Sequence, residues 1–377
     1  MTQFATELIT TSNPRANYLA YKAEIDQAIQ TVLNQPDYVL GPVVEHFEAR
    51  FSAFIGATHG VGVNSGTDAL HLALRGLGIG PGDEVITVSH TSVATVAAIE
   101  MSGAVPVLVD IEMPWFTIDA QAAASAIGPR TKAIIAVHLY GQPADLTVLA
   151  ELCGRHGLAL IEDCAQCHGA TWRGRLTGSF GKAACFSFYP SKNLGGIGDA
   201  GMVVTSDAAL AARIAMLRTY GWREPQVSLT PGWNSRLGPL QAAILDVKLR
   251  HLPEMTGLRR QIAGRYGKGL AGLPLLLPDD RDGSRHAYHL YVACCDDAAT
   301  RDRLRRHLAD AGIAAGIHYA TPVHLQPAYK GRVGNRSLPV TEAVAGRIIS
   351  LPLYPELTGP QQDRVIAAIR EFFKGPR

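Results

Sequence analysis

From residue 59 to residue 205 the chain repeats one pattern: a short apolar run, a polar or glycine-containing turn, then a helical stretch. Strands are expected at 59–63, 84–89, 105–111, 133–138, 158–163, 184–189 and 202–205, with helices such as 69–77, 92–100 and 145–156 between them. Crossover helices are deposited on the faces of a sheet, so this rhythm predicts an α/β fold. It has a mainly parallel sheet covered on both sides, a large three-layer domain. Ligands bind such sheets beyond the carboxyl ends of the strands. The chemistry-bearing residues fall there: Ser65 to Thr67, Asp163 with Gln166 and His168, and Ser187 with Lys192.

The stretch CFSFYPSKNLGGIGDAG narrows the chemistry. It turns at Pro190, presents Lys192 and runs into Gly195, Gly196, Gly198 and Gly201. Most lysines are solvated surface residues. One placed between a buried strand and a flexible turn has the partial desolvation and freedom that a carbonyl-reactive amine needs. Ser65-Gly66-Thr67 opens a helix directly after a strand, which aims free N–H groups and a positive dipole end at an anion, although Ser65 or Thr67 also serves as an ordinary cap. Asp163 ends a strand, where a structural ion pair is its plain alternative. Together, a mobile lysine, a strand-end acid and an anion cradle are the parts that pyridoxal phosphate requires. The run GIGDAG matches a dinucleotide fingerprint but leads into a strand instead of a helix, so it does not support a dehydrogenase.

The flanks carry less chemistry. Residues 1–20 read as an N-terminal arm, 21–250 as the large domain and 251–377 as a smaller C-terminal α/β domain, after a Pro/Gly/Asp-rich shift at 272–284. In that last part strands are expected at 287–294 and 314–318 and helices at 299–311 and 360–373. Ile25, Ile29 and Leu33 mark one helical face, and Phe47, Phe51 and Phe54 mark another, read as core. With 35 basic and 33 acidic side chains the net charge is +2, which gives no case for nucleic acid or an anionic membrane as partner. No basic-then-apolar leader and no apolar run near the ~18 residues of a membrane span are present, so the cytoplasm is the expected location. Six cysteines are scattered; Cys164 and Cys167 form a lone C-x-x-C, open to redox chemistry or half of a zinc site, but with no second pair of suitable spacing they are read as small buried residues.

At these residues the chain resembles the DegT/DnrJ/EryC1/StrS family of sugar aminotransferases, within the aspartate-aminotransferase-like fold type I. The resemblance runs through YVLGPVVEHFEARF, VNSGTDALHLAL, PGDEVITVSHT, VHLYGQPADL, IEDCAQCHGA, FSFYPSKNLG, NSRLGPLQAAIL and LPLYPELT. It implies that Lys192 binds the cofactor aldehyde, Asp163 holds the pyridinium nitrogen and Gln166 contacts the ring oxygen. Gly66, Thr67 and Ser187 are implied to bind the phosphate, with Asn234 from the partner subunit of a homodimer whose sites are shared. The implied reaction moves an amino group from L-glutamate to a nucleotide-linked keto-sugar. GIHYATPVHLQPAY and neighbouring blocks look more like the 3-keto than the 4-keto branch, with His318, Tyr319 and His324 as substrate-side candidates. Because some relatives were first described as regulators, a non-catalytic cofactor-binding regulator or scaffold is the competing reading. Ser92 stands where the family often has a ring-stacking aromatic, leaving that role to His90 or another group, and Tyr354 replaces a family histidine.

Overall fold

The computed structural model describes residues 8–333 and 337–375. Residues 1–7 of the expected arm lie outside them. A seven-stranded sheet forms the centre, built from β1 (His59–Val63), β2 (Glu84–Val88), β3 (Val105–Val109), β4 (Thr131–Val137), β5 (Ala159–Asp163), β6 (Ala183–Ser187) and β7 (Gly201–Thr205), in spatial order β1-β7-β6-β5-β4-β2-β3. The pairings across β6, β5, β4, β2 and β3 are parallel, as the alternation predicts. Strand β7 runs antiparallel to both β1 and β6. The reason is local: a parallel return needs a crossover of a dozen or more residues, usually helical, whereas the glycine-rich loop after β6 forms no helix and simply reverses the chain. That reversing loop is the one that carries Lys192.

Side chains alternate across each strand, so the sheet has two cores. Cys185 and Val203 point to one, with Val63, Ile135 and Ile161. Phe186, Met202 and Val204 point to the other, against Phe47 and Phe51 of the helix Pro42–Ile55. Phe51 meets Phe186 and Phe188 edge-on at 4.9 and 5.1 Å between ring centres, while Phe54 is only partly buried. On the helix Lys22–Leu33 the inward stripe is Ile25 and Val32, both buried, with Ile29 partly buried, and Leu33 is 46% exposed. An i, i+4, i+7 spacing follows the helical period more closely than the expected i, i+4, i+8.

The C-terminal part begins on a helix of 32 residues, Pro239–Leu270, which runs unbroken through the expected 250/251 boundary and contains Pro253. Beyond it, β8 (Leu275–Leu276), β9 (Tyr291–Cys295) and β10 (Ile348–Leu351) form a small antiparallel sheet. The helices Ala298–Asp310 and Gly359–Lys374 cover it, packing Leu304, Val365 and Ile369 around Tyr266 and Tyr291. The strand expected at 287–294 starts only at Tyr291, and the one expected at 314–318 is reduced to single bridges. There the N-terminal segment supplies the partner: Ile9 is fully buried, takes a hydrogen bond from Ala314 and gives one to Gly312. Among the described residues no helix is long and apolar enough to cross a membrane.

Candidate active site

A cleft of about 380 Å³ opens where the carboxyl ends of β5 and β6 meet the first turns of the helices Gly66–Gly76 and Val93–Ser102. Asp163, the last residue of β5, is 6% exposed and lines it. Its Oδ2 accepts from Thr95 Oγ1 at 2.8 Å and its Oδ1 from the Ala165 N–H at 3.2 Å. Burial pushes this carboxyl up, against those two hydrogen bonds and the nearby Lys192 ammonium. Lys192 is half-buried and lines the same cleft. Its backbone N–H closes the turn onto the Tyr189 carbonyl at 2.8 Å. Burial pulls its amine down to about 8, against the attraction of Asp163. At pH 7 roughly a tenth of such an amine is neutral and nucleophilic.

The residues of the expected anion cradle stand at the cleft's edge. Ser65 caps the helix Gly66–Gly76 by accepting from the Asp68 N–H, which leaves the earlier N–H groups at the helix start for another acceptor. At Gly66 an added Cβ would sit 2.6 Å from Ser187 Cβ, so only glycine lets the helix start close on the end of β6. Gly66, Thr67 and Ser187 are thereby brought together on the cleft wall. Asn234 is not: it is exposed, its backbone bridges Thr219, and it lies outside this chain's cleft. Its neighbour Ser235 ties that segment to the cradle helix through Asp68 Oδ2 at 2.7 Å and the Asn64 N–H at 3.1 Å.

The opposite wall comes from distant sequence. Gln166 accepts from the Tyr140 N–H at 2.7 Å and donates to the Tyr319 hydroxyl at 3.1 Å, which Ser92 also holds. His318 lines the cleft with its Nδ1 on Ser350 Oγ at 2.8 Å, joined by His289 and by Thr11 and Ser12 of the N-terminal segment. His324 falls outside the cleft. Its ring nitrogens meet Ser89 at 2.6 Å and Glu342 at 3.3 Å, binding a loop to the sheet. His90 is also off the wall, fully buried on the Tyr140 hydroxyl at 2.7 Å and pushed by burial to about 4, so it stacks on nothing in the cleft. His168 is enclosed by the rings of Phe186 and Phe188.

Thr95, His289, Thr11 and Ser12 escaped the reading of the sequence. Thr95 carried a usable signal, lying one turn into a helix that starts at a strand's carboxyl end; the others had none. All six cysteines are free and buried. Cys164, Cys167 and His138 gather within 4.8 Å, but the His138 ring already accepts from the Ala144 N–H and faces Glu162, each at 3.1 Å.

A strand-end carboxylate, an amine of weakened basicity and a helix start with a glycine-only approach fit the ring nitrogen, aldehyde and phosphate of pyridoxal phosphate. Fold and donor set are those of a pyridoxal-phosphate enzyme of fold type I. Residues 20–370 match the model of the DegT/DnrJ/EryC1/StrS aminotransferase family. The chain belongs to that family. It is 49% identical to a dTDP-3-amino-3,4,6-trideoxy-alpha-D-glucose transaminase of Streptomyces venezuelae, covering 95% of this chain and 94% of the relative. It is 48% identical to the erythromycin biosynthesis sensory transduction protein EryC1 of Saccharopolyspora erythraea, over 94% and 97%. A UDP-N-acetyl-3-dehydro-alpha-D-glucosamine 3-aminotransferase of Acidithiobacillus ferrooxidans is 42% identical over 96% and 97%. Among solved structures, S. venezuelae DesV in complex with a ketimine intermediate superposes with a TM-score of 0.95 at 48% identity, covering 99% of this chain and 100% of that one. The NtdA protein of Bacillus subtilis with bound cofactor PMP gives a TM-score of 0.90 at 29% identity, over 99% and 87%.

Proposed function

We propose that the protein transfers an amino group from L-glutamate to the 3-keto carbon of a nucleotide-linked sugar, in deoxyamino-sugar biosynthesis. The observation that carries this reading is the pairing of Lys192 and Asp163 across one cleft. The relatives named for 3-amino and 3-dehydro sugars favour carbon 3. When bound, pyridoxal phosphate supplies an electron sink for the carbanion formed as the amino group leaves or arrives. The chain's own residues do the rest. Asp163, aimed by its hydrogen bonds from Thr95 and Ala165, holds the proton on the ring nitrogen. Gln166 positions the ring from its bridge between Tyr140 and Tyr319. Gly66, Thr67 and Ser187 orient the phosphate. The Lys192 amine holds the aldehyde between turnovers and carries the proton to or from the substrate carbon. His318 and Tyr319 stand on the sugar side.

The reading includes a homodimer, with the exposed Asn234 of one copy completing the phosphate cradle of the other. It also keeps the division into an arm (1–20), a large domain (21–250) and a small domain (251–377), and places the enzyme in the cytoplasm. A regulatory role has the names of two relatives behind it, but a binding protein has no use for a lysine amine of depressed basicity. The test is to add glutamate to the purified, cofactor-loaded protein and follow cofactor absorbance, then to offer 3-keto and 4-keto nucleotide sugars and locate the new amine by NMR. Bleaching by glutamate and amination at carbon 3 are expected. Absorbance unmoved by glutamate, or amination only at carbon 4, would overturn the corresponding part. For the shared site, mixing Lys192→Ala and Asn234→Ala subunits should restore activity, because one of the two mixed sites is then free of both lesions.

A further inference from the structure

The turn that follows Asp163 and contains Gln166 has a thiol at each corner. The Cys167 N–H donates to the Cys164 carbonyl at 3.2 Å. That hydrogen bond closes a four-residue turn and keeps its outer Cα atoms within about 7 Å, against the roughly 4.4–6.8 Å that a disulfide spans. Both Sγ atoms and a His138 nitrogen lie within 4.8 Å of one another. Thr177 Oγ1 donates to Cys167 Sγ at 3.0 Å. Burial opposes a Cys167 thiolate, yet Cys164, His138 and Thr177 outweigh it and hold this thiol below its usual range. Burial pushes the Cys164 thiol well up. One sulfur is thus suited to attack and the other to resolve. Each is 0% exposed, which excludes bulky disulfide partners and restricts the oxidant class to a small molecule.

We propose that Cys164 and Cys167 are a modification site: a small hydroperoxide converts them to a disulfide that shuts the site by displacing Gln166. In the first step the Cys167 thiolate attacks the peroxide oxygen, an S–O bond forms, the O–O bond breaks, and the alcohol (water, for hydrogen peroxide) leaves with a proton. In the second the Cys164 sulfur displaces that oxygen as water and the S–S bond forms. The thiols lose two electrons and two protons; the hydroperoxide is reduced by them. Gln166, caught between the two sulfurs in sequence, then loses its register on the Tyr140 N–H and the Tyr319 hydroxyl. A positioning shift near 1 Å can cost up to about a hundredfold in rate, so a loss of about tenfold or more is expected.

The activity readout rests on the transaminase reading; the linkage readout does not. The holoenzyme is treated with hydrogen peroxide, digested without reductant and mapped, while the glutamate half-reaction is followed by cofactor absorbance. The expected result is a peptide linking Cys164 to Cys167, rate loss in step with it, and recovery in dithiothreitol. The Cys164→Ala/Cys167→Ala double variant should keep its starting rate through the same treatment. Inactivation without that linkage, linkage without rate loss, or equal inactivation of the double variant would each overturn the proposal. Should the double variant fold poorly, Cys164→Ala alone decides the chemistry. It should stop at a Cys167 sulfenic acid that dimedone traps once the treated protein is unfolded in its presence, and absence of that adduct counts against the site.

Discussion

Glu162 and Asp163 are neighbours on β5, both buried, and their surroundings push them in opposite directions. Glu162 meets a full set of donors: Phe180 and Gly181 N–H groups at 2.8 Å on one oxygen, and the Gly178 N–H at 2.7 Å with His138 at 3.1 Å on the other. Burial alone would raise its carboxyl, but His138 and those backbone donors hold it below the usual range. Asp163 has one hydroxyl and one N–H at the cleft floor, and burial wins. A buried charge that is fully satisfied fastens a loop. One left partly satisfied is costly until a cation arrives, and that makes it useful in a cofactor site.

The largest expected effect tests the cleft side. Lys192→Ala should lower amino transfer by about a thousandfold, within the 10²–10⁴ range for a lost acid–base group. Borohydride reduction of the wild type should fix the cofactor's mass on Lys192, and label on another lysine would remove the assignment. On the loop side, Glu162→Gln should destabilise the fold by about 1–3 kcal/mol for each buried donor that the amide NH2 can no longer satisfy, with little change in turnover per folded molecule. Urea unfolding checks the first and active-site titration the second. Asp163→Asn should reverse that pattern: a near-wild-type fold and about a hundredfold loss of turnover, the scale of removing one preorganised electrostatic group.

The two acids also differ in the sign of their pH dependence, which cofactor-free protein should show. Glu162, depressed in the fold, contributes stability above its unfolded pKa of about 4.3 that is lost as pH falls through the folded value. Asp163, raised in the fold, does the reverse: stability falls as pH rises from its unfolded pKa of about 3.9 through the raised value. Denaturation midpoints between pH 3 and 7 should therefore depend less on acid in Glu162→Gln, and decline less toward neutral pH in Asp163→Asn. The smallest effect sharpens the comparison. Thr95→Val removes a hydrogen bond to a charge, worth about 1.5–3 kcal/mol. It should slow turnover about tenfold and shift the pH midpoint of cofactor absorbance, whereas a merely structural threonine would leave that midpoint unmoved.

Much of this site was legible because its floor is local. Asp163, Gln166, Ser187 and Lys192 follow the ends of two adjacent strands, and a parallel sheet sends such ends to one side. Gly66 was legible as part of a strand–turn–helix cradle. His324 and His90 were not, since nothing in a local pattern says whether a histidine faces a cleft or a neighbouring loop; Ser89 and Tyr140 decided that. For Thr95 the position near a strand's carboxyl end could be read, but the hydrogen bond to Asp163 that gives it a role could not.

By itself the sequence determined the alternation that makes the sheet, the cradle glycine and the lysine loop, because each depends on chain period, turn chemistry or steric size within a few residues. Tertiary structure decided the antiparallel entry of β7, the N-terminal segment against Ala314 and Leu353, and the second wall from His289, His318 and Tyr319. It also decided which of two adjacent acids would be satisfied. Period two puts Glu162 and Asp163 on opposite faces, but the donors that separate their roles come from residues 178–181, His138 and Thr95, brought there only by packing.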